Sequence, residues 1–96
     1  MSSCVTHARP RGRLERVADV LEQVASSKIA QAAQLLAEAA ALYEESRRHT
    51  EMPLGIESQL WFLTRALSAE HALNYDLLVA RARASASEVA AAQSRE

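Results

Sequence analysis

The side chains able to do covalent or metal chemistry in this chain are few: one cysteine, Cys4, and three histidines, His7, His49 and His71. Glu45 and His49 stand four residues apart, a spacing that puts both on one face of a helix where they could share one ion. A metal centre needs three or four converging ligands, and the Glu-x-x-His spacing of di-iron helical bundles never occurs here. Cys4 and His7 could pair as thiolate and imidazole, but a nucleophile needs a base held in place. Both lie in a stretch punctuated by Pro10 and Gly12 that has no apolar periodicity. Gly12 and Gly55, the only glycines, are too far apart to build a phosphate-cradling loop. The expectation is therefore no enzymatic activity, no metal, no cofactor and no small-molecule substrate.

Eleven basic residues against twelve acidic ones leave a formal charge of -1, the balance of neither a general nucleic-acid binder nor a membrane-surface protein. The exception is local. Arg9-Pro10-Arg11-Gly12-Arg13 forms a short arginine arm able to neutralise phosphates or enter a minor groove, which keeps a nucleic-acid-associated regulatory factor as the alternative function. A solvated tail explains the same residues, and Arg47, Arg48, Arg81 and Arg83 are interleaved with acids and show no helix-turn-helix spacing. Nucleic acid is thus not the expected partner. A single cysteine suits a reducing compartment, and no uncharged apolar run of about 18 residues is present to span a bilayer, so a cytoplasmic protein is expected. Residues 1 to 13, with serines, arginines and no acid, share the composition of transit peptides.

Ninety-six residues with twenty alanines, two glycines, two prolines and 4% aromatics must be positioned by helices. Residues 1–12 read as a disordered basic arm. From residue 13 to 49 apolar side chains recur near multiples of 3.6, among them Leu14, Val17, Leu21, Val24, Ile29, Leu35, Leu36, Leu42 and Tyr43. At 100° per residue they occupy an arc of roughly 140°, with Glu15, Asp19, Gln34 and Glu44 outside it. Ser26 and Ser27 lack the acid or amide of a capping box, so the helix is read as continuous. The only internal proline and the second glycine, Pro53 and Gly55, mark a turn over 50–55, and a second helix runs over 56–92. The predicted fold is all-α: an antiparallel hairpin of two long helices occupying 13–94.

The second helix carries two apolar faces on this construction. Leu60, Leu63, Leu67, Leu77 and Leu78 form a broad stripe toward the first helix, while Trp61, Ala72, Tyr75 and Val79 line another side. A two-helix hairpin cannot cover both, so Trp61, Ala72, Tyr75 and Val79 are the predicted partner-binding residues. A second copy or another protein would then complete a four-helix bundle. Polar side chains also interrupt the core stripes: Lys28 on the first helix, and Glu70, Asn74 and Arg81 on the second. Buried, such groups would fix register or partner choice, with Lys28 and Arg81 awaiting a carboxylate; otherwise the long stems reach the rim.

Two helices about a Pro-containing turn in a short chain look in outline like small secretion-system proteins, such as needle subunits, export chaperones and the WXG100 family. The Trp-x-Gly signature of the last is missing, since Trp61 is followed by Phe62 and Leu63, and no functional residue is carried over. The resemblance implies a secretion chaperone or assembly subunit. The residues themselves point to a non-enzymatic protein–protein interaction module with a protein partner or a second copy of itself.

Overall fold

A computed structural model describes residues 12–50 and 55–94, and the described chain is all-helical, without a strand. Helix α1 spans Arg13–Arg48, α2 Ile56–Glu70 and α3 Tyr75–Ser94. Residues 1–11, which hold Cys4, His7, Arg9 and Arg11, lie outside the described residues, as does Pro53.

Gly12 caps α1 without a side chain of its own, and the Glu15 carboxylate reaches back to accept the Gly12 N–H at 2.8 Å. The helix passes Ser26 and Ser27 unbroken and ends on Arg47 and Arg48, cations at the negative end of its dipole. Glu57 in the first turn of α2 accepts the Gly55 N–H at 3.1 Å and pairs with Arg47, fastening α2 to α1 where the chain reverses. Trp61, one turn further along α2, reaches Glu44, one turn earlier in α1, so the two helices are antiparallel.

The single helix expected over 56–92 is two helices. α2 stops at Glu70 and Ala72 takes a φ of 55°, the left-handed region that alanine enters only at a cost. The Leu73 N–H then bonds the Ser68 carbonyl at 2.8 Å, the six-to-one closure of a Schellman C-cap. Leu67 and Leu73, the apolar pair that usually accompanies this cap, both rest against the core. Asn74 follows as the N-cap of α3, its Oδ1 accepting the Leu77 N–H at 3.1 Å. Without a glycine or proline at 71–74, hydrophobic periodicity alone ran through the break. Glycine at Ala72 would remove the left-handed penalty. We expect Ala72→Gly to stabilise the fold by about 1 kcal/mol, or roughly 4–8 °C in Tm, read by thermal melting.

After this tight connection α3 returns alongside α1 and runs parallel to it. Ala86, Val89 and Gln93 of α3 share a groove with Leu42, Glu45 and His49 of α1. α2 and α3 thus form a down-and-up pair on the C-terminal part of α1, whose N-terminal part projects beyond them. From Arg13 to Lys28 every residue except Asp19 is exposed.

The core is built from small side chains: Ala33, Ala37 and Ala41 of α1 meet Leu78, Ala82 and Ala86 of α3. Thr64 and Ser68 are the buried side of α2, their hydroxyls each donating at 2.8 Å to the carbonyl four residues back. Among the described residues no larger side chain than Thr64 is fully buried. Such positions bring helix axes to the short end of the usual separation of about 8–10 Å. The consequence inverts the expected core. The alanines at 33, 37, 40 and 41 lie about 180° around α1 from the line of Leu21, Val24, Leu35 and Leu42. α1 therefore turns alanine inward and its leucine and valine face outward; Ile29 and Leu36, at the border, are half-buried.

Candidate interaction surface

Among the residues expected to bind a partner, Trp61 is half-buried against its own chain. It packs against the alanine core, its indole N–H donates to Glu44 at 3.1 Å, and the Arg83 guanidinium lies 5.2 Å from the ring centroid. Arg83 also holds both carboxylate oxygens of Glu44, at 3.1 and 2.9 Å. One residue from each helix thus meets at a three-way junction. Tyr75, half-buried, receives Arg65 at 4.5 Å over its ring; Val79 is half-buried, and Ala72 is an exposed turn residue. These four side chains do not form one helix face, because the break at 71–74 resets the angular phase on which they were aligned. Lys28, Glu70, Asn74 and Arg81 are all exposed, not buried. The same loss of phase explains Arg81, while Asn74 serves as a cap and Glu70 ends α2.

Arg83, and after it the Trp61 N–H, holds the Glu44 carboxyl below its ordinary value of 4.5 against the opposing effect of burial, and Glu44 raises Arg83 in turn. Because the folded-state pKa lies below the unfolded one, this stabilisation is complete above about pH 4.5 and is lost as pH falls through the folded pKa. Thermal melts should therefore hold a constant Tm from pH 7 to 5 and decline below about 4.5, with a shallower decline in Glu44→Gln. An equal acid slope in both proteins would remove Glu44 from the junction's energetics.

Glu45 and His49 do come together, Nε2 to Oε2 at 3.5 Å, and Arg48 also binds Glu45 at 2.7 Å. No group of three or more potential metal ligands occurs among the described residues. None of the described helices is long and apolar enough to cross a membrane.

What the molecule does present is a long apolar face on α1. Leu14, Leu21 and Leu35 are 85%, 64% and 64% exposed, and Val17, Val24 and Leu42 about half. Their numbers, 14, 17, 21, 24, 35 and 42, follow the alternating three-and-four spacing of a helix–helix seam. Near Leu42 the face broadens into a groove of about 370 Å³ with Ala86, Val89 and Ala90 of α3. On the other side Tyr43 and Ser46 adjoin Ile56 at the start of α2. The seam was visible in sequence as the stripe assigned to the hairpin core; its outward direction was not. Comparison with protein families, with curated proteins and with solved structures finds no match.

Proposed function

We propose that the chain is a non-enzymatic protein–protein interaction module of the reducing cytoplasm whose docking element is the outer face of α1. The observation that carries this reading is the row of exposed leucines and valines from Leu14 to Leu42, left open by a core made of alanine. A contiguous apolar face of this kind is costly in water and is the geometry by which one amphipathic helix receives another. A further helix laid along it would pack on α1 from the side opposite the alanine core and reach the flank of α3 through the groove at Leu42. A small chaperone or assembly subunit, which shields or joins helices, is the form of activity such a face suits.

The test is site-specific photo-crosslinking in the native cell. A photoreactive residue in place of Val24 should give a discrete adduct to a protein, whether another chain or the same one. The same residue in place of Glu22, on the far side of the helix, should give little. Equal or absent adducts at the two positions would exclude the outer face of α1 as the docking element.

A further inference from the structure

We propose that the occupant of this face is a second copy of the chain, with the two α1 helices antiparallel and Lys28 of each copy paired with Glu38 of the other. The inference rests on the docking role of the outer face of α1 and adds its partner and its register. Three features lead to it. The seam that begins at Leu14 and ends at Leu42 is interrupted by two charges of opposite sign, Lys28 and Glu38, with Gln31 between them. Lys28 is exposed and has no ion-pair partner among the described residues, and Glu38 receives only the neutral amide of Gln34, at 3.3 Å. Within one helix the two charges are ten residues apart, about 15 Å along the axis, and cannot meet.

Antiparallel pairing about the midpoint of these two residues, position 33, brings each lysine opposite the other copy's glutamate. A parallel pairing in register sets lysine against lysine and glutamate against glutamate. The second feature is independent of charge: Ala33 is the first buried residue of α1, the point where the projecting arm ends and the three-helix part begins. A twofold axis there lays the arm of each copy along the bundle of the other. Val24 then comes opposite Leu42, and Val17 and Leu21 lie over the groove that Leu42 shares with Ala86, Val89 and Ala90. The third feature is length. The twenty residues of α1 before Ala33 match the twenty of α3, so each arm is long enough to lie along the α1–α3 groove of the other copy for the whole length of α3. A symmetric contact of this kind closes on itself and yields a dimer rather than a filament.

Sedimentation equilibrium of the full chain decides it, with wild type, Lys28→Glu, Glu38→Lys and the double variant compared. Circular dichroism checks that all four remain helical. The expected result is a wild-type dimer, a dissociation constant raised about tenfold or more in each single variant, and recovery to within about threefold of wild type in the double variant. Single variants that dimerise as well as wild type would overturn the register, since parallel pairing predicts that result. A wild-type chain that stays monomeric would overturn the second copy as the occupant. The Val24 adduct separates this from a failure of the docking face: a monomer that still crosslinks to another protein retains the face, and a chain with no adduct has lost both.

Discussion

Replacing Ala37 by leucine is expected to unfold the three-helix part, whereas replacing Leu35 by alanine, two residues earlier, should leave the isolated chain almost unchanged. Ala37 has no exposed surface and lies against α3, where Ala82 is equally enclosed, so three added heavy atoms must drive the helices apart. Overpacking of this sort costs typically 1–3 kcal/mol, and here about 3, because the alanine contact supplies most of a very small core. Leu35 is largely exposed, and its truncation to the best helix former should cost less than about 0.5 kcal/mol in dilute solution. Urea denaturation followed by circular dichroism reads both. A hydrophobicity ranking of the two positions predicts the reverse order, so if Leu35→Ala proves the more disruptive variant, α1 faces the other way.

The second large effect belongs to Trp61. Read as an exposed anchor, it could be replaced by glutamine with the fold retained and only association lost. Read from the junction it forms with Glu44 and Arg83, it joins all three helices, and Trp61→Gln should destabilise the fold by about 2–3 kcal/mol. The loss has two parts, the packing of the ring against the alanine core and a Glu44–Arg83 pair left without its apolar cover. In a domain of this size that is a large fraction of the total stability. Chemical denaturation at low protein concentration isolates the folding term. A midpoint equal to that of wild type would restore Trp61 to the surface.

The helical class, the start of α1 near Arg13 and its continuity past Ser26 and Ser27 were legible in sequence, because alanine-rich 3.6-residue periodicity is a local signal. The break at 71–74 was not, because it uses an alanine where a C-cap usually has glycine. Its one local mark is Asn74 placed before the acid Asp76, the pattern of a helix start. The break resets the helical phase, so Arg81 and the line of Trp61, Ala72, Tyr75 and Val79 do not fall on the faces that a continuous helix would give them. The inversion of α1 had a different cause. Periodicity finds the apolar stripe of a helix but does not say what covers it. Two faces of α1 compete, one of leucine and valine and one of alanine, and close approach of small side chains decided which of them the chain folds upon. An apolar surplus of the kind that argues for a partner is present along the outer face of α1.

Amide hydrogen exchange over residues 14–32 tests most directly whether the outer face of α1 is covered in the working protein. A bare helical arm without tertiary contacts opens readily and exchanges close to the rate of an unfolded chain, whereas an arm seated in a bundle is protected by the free energy of its docking. In the assembly as isolated from its cell, a covered outer face gives strong protection from Leu14 through Ala32. In Leu21→Glu that protection should be lost, while the amides of Ala37 and Ala82 stay protected. Rapid exchange of the arm in the wild-type protein, or equal protection in Leu21→Glu, would contradict it.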